Sequence, residues 1–124
     1  MLIVEDDAAV AEAVALPIDA IGYRAILAGS GWQALEALKR ESPALMLVDL
    51  FLPGMSGSEF LRHVKATPAL ARIPRFIMTG TNDPMIGVRE DAAVFYKPID
   101  LVALVEVVKR YCDRARLQLV ARAI

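Results

Sequence analysis

The sequence predicts an α/β fold, a doubly wound parallel sheet of five strands with helices on both faces. Three observations carry this expectation. Unbroken apolar runs stand at residues 2–4 and 44–48, the pattern of strands buried on both faces. Between such runs, apolar residues recur three and four positions apart, the spacing of one helix face. Strand-like and helix-like stretches alternate as five βα pairs, and parallel neighbours need crossovers of this kind.

Leu2, Ile3 and Val4 open the chain as the first strand. Val10, Val14, Ile18 and Ile21 then mark one face of a helix. Pro17 should kink or shorten it, because proline lacks the N–H donor and crowds the preceding turn. Gly22 ends it, and residues 23–28 read as the second strand. Ser30 and Gln33 stand at capping-box spacing before a helix lined by Ala34, Leu35 and Leu38. Pro43 stops that helix ahead of the third strand, residues 44–48. Ser56 and Glu59 repeat the capping pattern, with Phe60, Leu61 and Val64 as the apolar face behind it. Residues 67–74 read as a loop bounded by Pro68 and Pro74, residues 75–78 as the fourth strand and 92–96 as the fifth. Residues 81–91 hold Pro84 and Gly87 and little periodicity, so any helix there is short or irregular. Asp100 can cap a last helix bearing Leu101, Leu104, Val105 and Val108.

A chain of 124 residues fits one domain, and 56% hydrophobic residues is ample for a core. The net charge of −1 comes from 14 basic and 15 acidic residues. It offers neither the basic field that binds nucleic acid nor the acidity of a disordered tail. Cys112 is the single cysteine and has no internal disulfide partner, which fits a reducing compartment. The first apolar run stops at Glu5, too soon for a signal segment or a membrane span. The expectation is a soluble cytoplasmic protein with no membrane and no direct nucleic-acid partner.

In open parallel sheets, ligands bind at the carboxyl ends of the strands. At those ends stand Glu5, Asp6 and Asp7 after strand one, Asp49 after strand three, Thr79 after strand four and Lys97 after strand five. Acids converging on one cleft repel each other, so positive charge must offset them. A hard divalent cation such as Mg²⁺ (or Mn²⁺) does this with carboxylate, water and phosphate oxygens, and Lys97 adds an ammonium. A carboxylate can attack phosphorus to give an aspartyl phosphate, a transfer that needs positioning and charge neutralisation above all.

Four blocks resemble the signature of response regulator receiver domains, the phosphorelay switches of two-component signal transduction. They are Ile3-Val4-Glu5-Asp6-Asp7, Asp49-Leu50-Phe51-Leu52-Pro53-Gly54-Met55-Ser56-Gly57, Met78-Thr79-Gly80 and Lys97-Pro98. They occur in the family's order across nearly the whole chain. The resemblance implies the flavodoxin-like strand order 2-1-3-4-5 of chemotaxis receivers. It implies that Asp49 accepts the phosphoryl group and that Glu5, Asp6 (the more direct ligand), Asp49 and the Phe51 backbone carbonyl hold the metal. Thr79 would turn toward the phosphoryl oxygens, Lys97 would pair with the phosphoryl group, and Lys97–Pro98 would be a cis peptide. The implied donor is a phosphohistidine on a histidine kinase or a histidine phosphotransfer protein. Such a chain assists its own phosphorylation and dephosphorylation and is not otherwise an enzyme. It stands alone or belongs to a longer regulator or hybrid kinase. Residues 1–112 would be the receiver. Residues 113–124, with Leu117, Val120 and Ile124 at helical spacing, would be a helical extension, the start of a linker, or a helix for a homodimer or another partner.

The sequence also departs from the family pattern. Val94 stands three positions before Lys97, where the family usually has an aromatic switch residue, with Phe95 and Tyr96 displaced along the strand. The stretch from Thr79 to Lys97 is shorter than usual, which points to a reduced helix there. Phe51, two positions after Asp49, is a bulky apolar residue where side chains influence attacking water, and it is expected to slow phosphoryl loss. A phosphorylation-independent interaction module of the same fold is the competing reading. A haloacid-dehalogenase-type phosphatase would need an acid at Phe51, and a flavin site would need a phosphate cradle where Glu5-Asp6-Asp7 stands. His63 reads as a helix-surface residue, Cys112 as a partly buried structural one, and Trp32 and Phe60 as packing residues.

Overall fold

The computed structural model describes residues 1–80 and 94–123, with side chains described as far as residue 113. Its sheet has β1 (Leu2–Val4), β3 (Met46–Asp49) and β4 (Arg75–Thr79) in the middle, and β2 (Ile26–Ala28) and β5 (Val94–Tyr96) at the edges. Every neighbouring pair is parallel, in the order β2-β1-β3-β4-β5. Side chains alternate between the faces of a strand, so each apolar run feeds two cores. Leu2, Val4, Met46, Val48 and Ile77 enter one, together with Ala34 of α2 (Gly31–Arg40) and Phe60, Leu61 and Val64 of α3 (Gly57–Ala66). Ile3, Leu47, Phe76 and Met78 enter the other, with Val14 and Ile18 of α1 (Ala8–Ala20) and Leu104 and Val108 of α5 (Leu101–Ala123). Each fully buried Val, Leu, Ile, Phe or Met among them contributes roughly 1.5–3 kcal/mol.

The helix starts follow the sequence closely. Asp100 Oδ1 accepts from the Val102 and Ala103 N–H groups at 3.1 Å each. Ser56 accepts from Glu59 N–H at 3.1 Å, and Ser30 accepts from Gln33 N–H at the same distance. The Gln33 side chain returns to Gly29 N–H at 2.8 Å, one residue earlier than a capping box would have it. Asp7 caps α1, accepting from Ala9 and Val10.

Four expectations need correction. The second strand begins at Ile26 rather than at residue 23. Gly22, at φ +90°, donates to Asp19 O, and Tyr23 N–H donates to Ile18 O, a Schellman closure of α1. Ala25 N–H bonds Asp19 Oδ1, and the Arg24 carbonyl accepts from the Met1 ammonium. With these groups engaged and β1 starting at Leu2, the ladder begins at Leu2↔Ile26. Second, residues 67–74 are not all loop: α4 (Pro68–Ala71) starts on Pro68, whose missing N–H is not needed at a helix's first position. Third, Pro17 does not shorten α1, which runs through it to Ala20. The carbonyl deprived of its donor belongs to Ala13, on the exposed face, where water can serve it. Fourth, Trp32 is not a packing residue. It is 63% exposed, because Gly31 and Ala34 take the core side of α2.

Phe60 is buried and His63 exposed as expected, while Cys112 is buried in the core rather than partly buried. The expectation for residues 81–91 lies outside the described residues. α5 continues without a break past position 112. Among the described residues, no helix is long and apolar enough to cross a membrane.

Candidate functional site at the carboxyl edge of the sheet

The sheet's register brings the predicted residues to one rim. Glu5 N–H continues the β1–β2 ladder by donating to Ala28 O at 3.0 Å. Leu50 N–H donates to Met78 O at 3.2 Å, which ties the residue after Asp49 to β4. Lys97 N–H donates to Thr79 O at 2.8 Å, which ties the end of β5 to the same strand. The Lys97–Pro98 peptide is cis. Glu5, Asp49, Thr79 and Lys97 therefore stand on a frame of backbone bonds, and the first three are buried.

The side chains converge on Lys97. Its Nζ donates to Glu5 Oε1 and to Asp49 Oδ2, each at 2.8 Å. Asp49 Oδ1 accepts from Phe51 N–H at 2.9 Å. Burial pushes the Glu5 carboxyl up to about 7, with the adjoining Asp49 adding to the rise and Lys97 opposing it. Burial alone would raise Asp49 as well, but Glu5, Lys97 and the Phe51 N–H outweigh it and hold that carboxyl below its ordinary value. Burial works against the Lys97 ammonium, yet Asp49 and Glu5 hold its pKa above the usual lysine value.

The residues fit a hard divalent cation. Glu5, Asp6 and Asp49 each place a carboxylate oxygen within 4.8 Å of the others, and Asp6 is the exposed member of the three. Fully ionised, these three acids outweigh Lys97 by two charges, the charge of one such ion. Among the described residues, Glu5 Oε2 is buried with no hydrogen-bond partner, and an unmet buried acceptor costs roughly 1–3 kcal/mol. An oxygen-seeking cation satisfies both conditions at once. In metal-free protein, Glu5→Gln is therefore expected to raise stability by about 1 kcal/mol, since an amide keeps the acceptor for Lys97 and adds a donor toward Asp49. Mg²⁺ should raise the wild-type thermal midpoint and scarcely move that of the variant. Scanning calorimetry in EDTA and in Mg²⁺ checks this, and a variant less stable than wild type in EDTA would refute it.

Thr79 and Phe51 complete the rim differently. Thr79 is buried at the end of β4, whereas the Phe51 side chain is 60% exposed beside the acids. Next to Lys97 an apolar cavity of about 480 Å³ opens between α1 and the start of α5, lined by Val10, Ala13, Val14, Pro98, Ile99 and Leu101 as well as by Lys97 itself. Asp7 serves as a helix cap, the role that acids suit at a helix start. Gly57 lies against the Asp49 backbone, a proximity that no periodicity reveals.

Comparison with known proteins bears on the same residues. The response regulator receiver domain family matches residues 1–109. The DNA-binding response regulator MtrA of Mycolicibacterium paratuberculosis is 34% identical over 109 residues, 85% of this chain but 48% of that protein. The chain thus spans about half the length of that relative. Sporulation initiation phosphotransferase F of Bacillus subtilis is 34% identical over 92 residues, 73% of this chain and 74% of that protein. Among solved structures, the signal receiver domain of a signal transduction histidine kinase from Syntrophus aciditrophicus matches with a TM-score of 0.79 at 30% identity, covering 89% of this chain and 86% of that one.

Proposed function

The chain belongs to the response regulator receiver family, and from that premise we propose that it is a Mg²⁺-dependent phosphorylation switch that accepts a phosphoryl group on Asp49. The observation that carries this reading is the state of Asp49. It is buried, held ionised, and oriented by two donors, Lys97 Nζ and Phe51 N–H, each on a different oxygen. A carboxylate fixed in this way has paid the ordering entropy of attack in advance.

The donor is a phosphohistidine on a histidine kinase or a histidine phosphotransfer protein. An Asp49 oxygen attacks its phosphorus, an O–P bond forms, the P–N bond breaks, and the imidazole leaves with the electron pair. Lys97 keeps its proton and moves from carboxylate to phosphoryl oxygens as the charge migrates. The Thr79 hydroxyl turns toward those oxygens and reports their arrival. Glu5, Asp6, Asp49 and the Phe51 carbonyl would hold Mg²⁺ (or Mn²⁺), which when bound neutralises charge on the transferring group. The new charge and acceptor oxygens then shift the population between two conformations.

Intact-protein mass after incubation with acetyl phosphate and Mg²⁺ tests the reading. One phosphoryl adduct is expected, absent when EDTA replaces Mg²⁺. A chain that binds Mg²⁺ yet takes no group from acetyl phosphate or from a phosphohistidine donor would favour the phosphorylation-independent module. The exposed Phe51 ring hinders water from reaching the phosphoryl group in line, so Phe51→Asn should shorten the adduct's lifetime several-fold. An equal or longer lifetime in the variant, followed by mass over time, rules that role out.

A further inference from the structure

We propose that Gly57 is a positioning residue for the acceptor, because its missing side chain lets the first turn of α3 lie directly against the Asp49 backbone. The inference rests on the reading of Asp49 as acceptor. Gly57 is buried, and its N–H donates to Leu50 O at 3.0 Å. A Cβ there would sit 2.2 Å from the Asp49 carbonyl oxygen, 2.6 Å from Leu50 Cα and 3.0 Å from the Asp49 carbonyl carbon. These are backbone atoms, which cannot rotate aside. By contrast, a Cβ at Gly31 would meet the Met55 sulfur at 2.7 Å, the flexible end of a side chain. The need at Gly57 is for space, since the positive-φ glycines among the described residues are Gly22 and Gly54.

The contact closes the loop between β3 and α3 at its base. Within that loop, Phe51 N–H fixes Asp49 Oδ1, and the Phe51 carbonyl is the proposed fourth metal ligand. α3 cannot swing away to relieve pressure at Gly57, because Phe60 and Val64 are fully buried behind it. The displacement therefore falls on Asp49 and the loop. Shifts of this kind act on function out of proportion to their size. Altering the support of a metal ligand typically weakens binding about 10–100-fold, and about 1 Å of misplacement can slow a reaction about 100-fold.

The test compares wild type, Gly57→Ala and Ile18→Val, the last removing packing in the core away from the rim. The readouts are Mg²⁺ affinity by calorimetry, adduct rate with acetyl phosphate, and thermal midpoint. Gly57→Ala is expected to bind Mg²⁺ at least about tenfold more weakly and to form adduct more slowly while its far-UV spectrum stays native. Ile18→Val should lose stability and keep wild-type affinity. A native-like Gly57→Ala with unchanged affinity and rate overturns the proposal. If Gly57→Ala does not fold, amide exchange in the wild type decides. Mg²⁺ should slow the Phe51 and Gly57 amides together, and slowing at Phe51 alone overturns the proposal. A wild-type chain that neither binds Mg²⁺ nor takes the group overturns the underlying reading, and this inference with it, before any variant is made.

Discussion

Asp49→Asn is expected to abolish phosphoryl acceptance while leaving the fold intact. The amide has nearly the shape of the carboxylate, and its oxygen can still accept from Phe51 N–H, the bond now made at 2.9 Å. It lacks the negative charge that makes the oxygen a nucleophile. The neighbouring acids cannot substitute. Glu5 is buried and drawn toward its neutral form, and Asp6 lies exposed with no described donor orienting it. Stability should change little, because Lys97 keeps Glu5 as a partner at 2.8 Å and one of three mutually repelling acids is gone. Mg²⁺ should bind more weakly for the same reason. Intact mass with acetyl phosphate and Mg²⁺ reads the first effect and a thermal melt the second. An adduct at the wild-type level in the variant would place the acceptor elsewhere.

The site was more legible in the sequence than the details around it. Each strand end delivers its residues through local pattern: an apolar run, then Glu5, Asp49, Thr79 or Lys97. Parallel topology sends those ends to one side, so listing them names the rim. The start of β2 was not legible, because it depends on where β1 begins and on Asp19, which captures Ala25 N–H at 3.0 Å. The exposure of Trp32 depends on which side of α2 meets the sheet, and Gly31 and Ala34 decide that. The burial of Glu5 Oε2 without a partner among the described residues and the pressure point at Gly57 both arise between segments far apart in the chain or separated by a loop, and neither has a spacing of its own.

Lys97→Met should separate two roles that the ammonium combines. In metal-free protein it is the shared partner of Glu5 and Asp49. The lysine side chain is 27% exposed, while Glu5 and Asp49 are 0% and 5% exposed. Removing one member of a buried ion pair costs about 3 kcal/mol, lessened here because Glu5, already raised to about 7, can take up a proton. At about 4 °C per kcal/mol for a domain of this size, the thermal midpoint in EDTA should fall by about 10 °C. Mg²⁺ brings charge to the same acids, so it should recover much of that loss. It should not recover phosphoryl acceptance, because the charge that develops on the transferred oxygens lies where Lys97 reaches. Loss of one aimed donor of this kind slows reactions about 100–1,000-fold. Lys97→Arg should not rescue the rate, since a bulkier guanidinium with donors fixed in one plane does not reproduce the compact ammonium seated 2.8 Å from both Glu5 and Asp49. Melts in EDTA and Mg²⁺, paired with adduct rates, distinguish the roles. If Mg²⁺ restores stability and rate together, Lys97 is only a countercharge for the resting acids and takes no part in the transfer.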